Sequence, residues 1–280
     1  MIESFLLTSR ETLEASLVVG IVLAYLNKTN NQNYKKTVYY AIAFGVLASI
    51  LAAFTFTFFA GEFKGSSEQI FEGVTMLIGA FLLTTMILWM MQQRYITKEI
   101  ESKVHMHLAN PASILSHLGI FMVIFIAIIR EGIETVIFMN ALNYANGINF
   151  IGGTLGIIAA IVVGYLFFIS TRKINLKKLF NISSVLLILF AAGLVLHGTH
   201  EFVEGGIVPG IVSPLFDISH VLSDKGVVGS FLKGLFGYVP DPSLVEVIAY
   251  FTYLSLILIL YLRIRNSGID SSIKHKYTEK

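Results

Sequence analysis

Seven stretches of this 280-residue chain are each long and apolar enough to cross a lipid bilayer as a helix: 2–26, 37–60, 70–91, 118–140, 151–171, 179–201 and 244–263. About 20 residues suffice, because a helix rises ~1.5 Å per residue and the hydrocarbon core is ~30 Å thick. Backbone placed in hydrocarbon has to satisfy its own N–H and C=O groups. A serial run of such stretches therefore points to an all-α, polytopic membrane protein of seven transmembrane helices, one unit over 1–265 with a tail at 266–280. Composition agrees: 55% of residues are hydrophobic and 14% charged, against ~25% charged in an ordinary soluble domain. The first stretch lacks a basic leader and carries Glu3, Arg10, Glu11 and Glu14, so it is expected to be a retained first span rather than a cleaved targeting segment.

The positive residues set the expected orientation. Fifteen Lys and Arg fall in the linkers after the first, third and fifth spans and in the tail; three, Lys64, Lys225 and Lys233, fall on the opposite side, and Arg10 and Arg130 lie inside spans. The positive-inside rule then puts the N-terminus outside and the C-terminus in the cytoplasm. With an odd number of spans, the first and fourth run antiparallel, which suggests that spans 1–3 and 4–6 form an inverted repeat with the seventh added. Segment 204–243 is too rich in Gly and Pro to span and too apolar around 227–238 for a plain solvated loop. Short interfacial or re-entrant helices are expected there.

Two charged clusters interrupt the apolar pattern: Arg10-Glu11-Thr12-Leu13-Glu14 in the first span and Arg130-Glu131-Gly132-Ile133-Glu134 in the fourth. At ~100° per residue, the Arg and both Glu of each cluster share one helix face, with Arg and the second Glu paired at i,i+4. A charged side chain at the middle of a bilayer costs roughly 2.5–3.5 kcal/mol, so all six are expected to face the bundle interior. Internal Arg–Glu pairing accounts for one Glu per Arg and leaves two carboxylates over. A cation, or protonation, makes up that deficit. Carboxylate donors without Cys select hard ions, among which iron, manganese and calcium all fit by ligand type. Each Arg is expected to support its motif by holding the neighbouring Glu in place.

Paired R-E-x-x-E motifs in the first and fourth of seven spans resemble the oxidase-dependent iron permease family, which includes the fungal high-affinity iron permease and the bacterial Efe-type iron permeases. The second motif is similar to the REGxE form; further similarities are Glu72-Gly73, the Glu201–Glu204 region and Gly237-Tyr238 through Pro242. The resemblance implies a non-enzymatic iron uptake permease of the plasma membrane. Iron would be its transported substrate rather than a cofactor, handled by Glu11, Glu14, Glu131 and Glu134. It also implies that Glu201 and Glu204 collect iron on the outer side, and that a separate extracytoplasmic iron oxidase or iron-binding protein works beside the chain. No nucleic-acid partner is expected. The alternatives are a carrier of another divalent metal such as manganese or lead, a membrane-embedded metalloenzyme, or a metal sensor.

Several other residues are candidates. His197, His200, Glu201 and Glu204 follow one stripe at the end of the sixth span, either as a metal-collecting ladder or as a wet helix end. Glu3 and Glu72 are possible entry carboxylates, or solvated anchors. Asp217, His220 and Asp224 read as loop residues, and His105, His107 and His117 as a possible receiving group on the cytoplasmic side. The methionines of the third span (Met76, Met86, Met90, Met91) are expected to pack rather than to bind metal.

Overall fold

The structure is a computed structural model that describes residues 1–92, 114–169, 176–223 and 226–278. Each apolar stretch forms a helix, because only a helix pairs all its backbone groups within one segment. The order is α1 (Ile2–Lys28), α2 (Lys35–Ala60), α3 (Ser66–Gln92), α4 (Ile114–Asn146), α5 (Phe150–Ile169), α6 (Leu176–Glu204), α7 (Val227–Phe236) and α8 (Leu244–Thr278), with no strand among the described residues. The helices overrun the expected spans at most ends, and α8 continues as helix through the expected tail. Among the described residues, four helical segments meet both length and composition for a membrane crossing: Gln32–Ala60, Ser66–Trp89, Ser183–Glu204 and Leu244–Arg263. Phe150–Leu166 is a shorter apolar helix, and α1 and α4, which carry the charged clusters, run 27 and 33 residues.

Three pairs build the bundle: α1 with α5 and α2 with α4, each parallel, and α3 with α6, antiparallel, while α1 also meets α4 and α8 packs on α6. Exchanging α1–α3 for α4–α6 turns the α1–α5 pair into the α4–α2 pair and leaves the α3–α6 and α1–α4 pairs unchanged. Burial divides the helices into two classes. The apolar windows of α3 and α6 are 44% and 50% buried, whereas those of α2 and α8 are 6% and 11% buried. On α2, Phe44, Leu47, Leu51, Phe54 and Phe58 all face outward, as expected of helices whose solvent on one side is lipid.

Two apolar cores fill the interior. One gathers Leu7 of α1, Leu83 of α3, Phe138 and Leu142 of α4, and Leu187, Phe190 and Leu194 of α6. The other gathers Val22 and Leu26 of α1, Val38 and Ala41 of α2, and Ile120, Ile124 and Ile128 of α4. Residues 10–14 of α1 and 130–134 of α4 fall between them. The charged clusters thus form a thin layer sealed above and below by hydrocarbon side chains.

Among its described residues, segment 204–243 forms one short helix after the end of α6, the ten-residue α7. Gly237 ends it in the left-handed conformation (φ 65°), with the Gly237 and Tyr238 N–H groups donating to Lys233 and Leu232 carbonyls at 3.0 and 3.3 Å, a glycine C-cap. The same glycine rests on the backbone of Gly193, where an added Cβ would come within 2.7 Å of the Gly237 Cα. Gly193 lies eleven residues before the end of α6, so at ~1.5 Å per residue the segment dips ~16 Å along that helix.

Gly132, inside the second cluster, is also fixed by packing: a Cβ there would overlap the Ser49 side chain of α2. Gly132→Ala is expected to destabilise the protein by about 1–3 kcal/mol through overpacking, read as a lower unfolding midpoint in detergent. Adding Ser49→Gly, which removes the clashing side chain, is expected to recover part of that loss.

Candidate metal centre

The charged layer is built by the crossing of α1 and α4, which brings both clusters to one place. Arg10 is clamped inside its own helix: its Nη1 lies 3.2 Å from Glu11 Oε1 and its Nη2 3.2 Å from Glu14 Oε1. Nη1 also meets the Met86 sulfur of α3. The Arg10 side chain is 1% exposed and that of Glu11 2%. In the second cluster the Arg130 Nε donates to Glu134 Oε1 at 2.9 Å and stands 3.9 Å from Glu131 Oε1. Both Arg–second Glu pairs take the i,i+4 geometry that the spacing implies.

Carboxylate oxygens of Glu11, Glu131 and Glu134 lie within 4.8 Å of one another, so one ion could touch all three. They come from two helices and both motifs. The remaining motif carboxylate, Glu14, is not in that group and turns to Arg10. Glu11 Oε2, Glu14 Oε1 and Glu131 Oε2 are buried and take part in no hydrogen bond; the Glu14–Arg10 approach is an ion pair without hydrogen-bond alignment. Buried carboxylate oxygens with spare lone pairs are costly alone, and they are the donor type that a hard cation takes up.

One expectation is corrected here. All six charged residues were expected to face the interior, but the Arg130 side chain is 48% exposed. It lies on the side of α4 that also shows Met122, Ile126 and Ile133, and its guanidinium carbon stands 5.6 Å from the centre of the Trp89 ring of α3. The physical reason is local. α1 is enclosed by α5, α6 and α7 as well as α4, whereas no helix among the described residues closes over this side of α4.

A second polar group occupies the end of α6. His200 Nε2 is 3.3 Å from Glu204 Oε1 and its Nδ1 is 3.0 Å from Glu246 Oε1 on α8. Gln69 of α3 donates to Glu204 Oε2 at 3.2 Å, and Glu201 is within electrostatic range of Glu72, Glu204 and Glu68. The expected ladder is split: His197 holds its Nε2 buried and without a hydrogen-bond partner, while His200 is taken by two carboxylates. Glu246 is the residue that sequence reading missed. It is 2% exposed and accepts the Ser243 hydroxyl at 2.7 Å. Its signal was present as Ser243-Leu244-Val245-Glu246, the spacing of a capping box that starts a helix.

Other candidates are placed as follows. Glu3 is not an open entry residue: its carboxylate is only 10% exposed, pairs with the Met1 amino group at 2.7 Å and backs onto Gly234 of α7. The hairpin carrying α7 covers it, which span-by-span reading could not foresee. Glu72 is partly buried beside the Glu201 end of α6. His117 shares a hydrogen bond with Thr37 Oγ1 at 2.9 Å and lies against the Tyr34 ring, tilted by 33° with centroids 4.3 Å apart, joining α4 to the start of α2. His105, His107 and Asp224 lie outside the described residues. Asp217 is exposed and takes hydrogen bonds from the Ser219 N–H and hydroxyl at 2.9 and 2.6 Å, which hold its carboxyl below the usual range. Met76 is buried in the first core, as expected.

Against this geometry stand the known proteins. A model of the iron permease FTR1 family matches residues 1–270. The chain belongs to that family. Curated relatives include the ferrous iron permease EfeU of Yersinia pestis, 32% identical over 279 residues, covering 98% of this chain and 97% of that protein. The ferrous iron permease EfeU of Escherichia coli O6:K15:H31 is 28% identical over 277 residues, covering 97% and 99%. No solved structure matches. Membership of a permease family together with the long apolar helices makes this a membrane protein and a transporter rather than an enzyme.

The Ser243–Glu246–His200 network ties the start of α8 to the end of α6. Ser243→Ala is expected to cost about 1 kcal/mol, as loss of a helix cap does. Glu246→Ala is expected to cost about 1–3 kcal/mol because it leaves buried partners unmatched; unfolding midpoints in detergent check both.

Proposed function

We propose that this chain is a multi-pass plasma-membrane permease that takes up iron, with the carboxylate triad Glu11, Glu131 and Glu134 as the intramembrane site through which the ion passes. The observation that carries it is the approach of three carboxylates from two helices within 4.8 Å, between two apolar cores. The relatives, ferrous iron permeases, supply the ion. Arg10 and Arg130 balance part of the charge and orient the carboxylates. Glu14 stands as a neighbouring station, held by Arg10. Glu201, Glu204 and His200, with Glu72 nearby, gather the ion at the outer end, and a separate extracytoplasmic iron oxidase or iron-binding protein delivers it.

The fold that serves this role is seven spans, α1–α6 and α8, with the N-terminus outside. The helix pairing that survives exchange of α1–α3 for α4–α6 supports an inverted repeat, and such repeats place substrate sites where equivalent helices meet near the midplane. Alternating access between the two halves then moves the ion inward.

Ferrous ion uptake by cells carrying Glu11→Gln, Glu131→Gln or Glu134→Gln is expected to fall at least about tenfold, since even outer-shell changes at metal sites cost 10–100-fold. Glu14→Gln is expected to cost less. Uptake at the unmodified level in all three triad variants removes the site. Competition by manganese and lead, and liposome flux of Fe(II) against Fe(III) with and without a proton gradient, define the ion and its driving force. Orientation is tested separately, because the chain has no cysteine: Lys64→Cys is expected to react with an impermeant thiol reagent in intact cells, and Lys28→Cys only after permeabilisation.

A further inference from the structure

The two arginines of the charged layer differ in a way that their matching motifs do not explain. Arg10 is enclosed, and its neighbour on α3 is the Met86 sulfur. Arg130 is half exposed and shared between two acceptors, the Glu134 carboxylate at 2.9 Å and the face of Trp89, one turn further along α3, at 5.6 Å.

Glu134 belongs both to the Arg130 ion pair and to the triad. A cation at the triad draws on the same carboxylate, so cation and guanidinium compete for it. A guanidinium that loses its carboxylate inside a bilayer is unfavourable unless another acceptor is at hand. An indole face is such an acceptor, the best among aromatic rings, and it presents no oxygen that would hold the metal instead. We propose that Trp89 is a positioning residue for the carboxylate triad: it retains the Arg130 guanidinium when Glu134 turns to the transported cation, and so sets how readily Arg130 releases Glu134. The exchange is confined to the second cluster, because no aromatic face among the described residues lies beside Arg10. This inference rests on the triad being the cation site. A tryptophan near a helix end commonly anchors the membrane interface. That role accounts for the exposure of Trp89 but not for the guanidinium over its ring, and it predicts no dependence on Arg130.

The test titrates ferrous ion anaerobically into the purified full-length chain in detergent and reads the binding constant by calorimetry. Trp89→Leu is expected to weaken binding by about two- to fivefold, the scale of one cation–π contact, and Trp89→Phe to restore most of it. In an Arg130→Gln background, Trp89→Leu is expected to add nothing. Unchanged binding in Trp89→Leu, Phe no better than Leu, or an equal loss with and without Arg130 overturns the role of Trp89. If Glu134→Gln still weakens binding at least about tenfold in those cases, the triad stands and only this inference fails. Wild-type binding in Glu134→Gln removes the triad and the inference together.

Discussion

Everything in this structure is arranged around the pairing of six charged side chains in a layer bounded by hydrocarbon. An unpaired charge at that depth is opposed by several kcal/mol, so the helices that carry the charges must meet. α1 and α4 cross, and α5 and α2 flank them as equivalent neighbours. Apolar cores lie on either side of the layer, and the low-dielectric surroundings strengthen the interactions of its buried members, Arg10, Glu11 and Glu131. A bundle that failed to bring the clusters together would leave four carboxylates and two guanidiniums facing lipid.

Within that layer the pairing is incomplete, and the incompleteness gives it chemistry. Two guanidiniums cannot saturate four carboxylates. Three carboxylates converge, and buried oxygens are left with spare lone pairs. Hard cations are bound by such oxygens, and a permease must bind without trapping. Glu134 stands in both arrangements, 2.9 Å from the Arg130 Nε and within 4.8 Å of the other two carboxylates.

The polar end of α6 works differently. His200 and Glu204 are partly exposed, and Glu246 is tied into the first turn of α8. Exposed and half-exposed pairs contribute little to stability. The segment carrying α7 backs onto Glu3 at Gly234 and is seated on α6 where Gly237 meets Gly193.

The sequence by itself determined the helices, because hydrocarbon leaves a long apolar segment no other way to satisfy its backbone. It also determined the family, and the presence of a surplus of carboxylates in two matching clusters, since spacing on a helix fixes which side chains share a face. Only the tertiary structure decided which three carboxylates meet, that Glu14 turns aside to Arg10, and that Arg130 is half exposed over Trp89 while Arg10 is enclosed. It alone drew Glu246 to His200 across 46 positions and buried Glu3. Those outcomes depend on how helices cross and what covers each one, and periodicity along a single helix does not contain its neighbours.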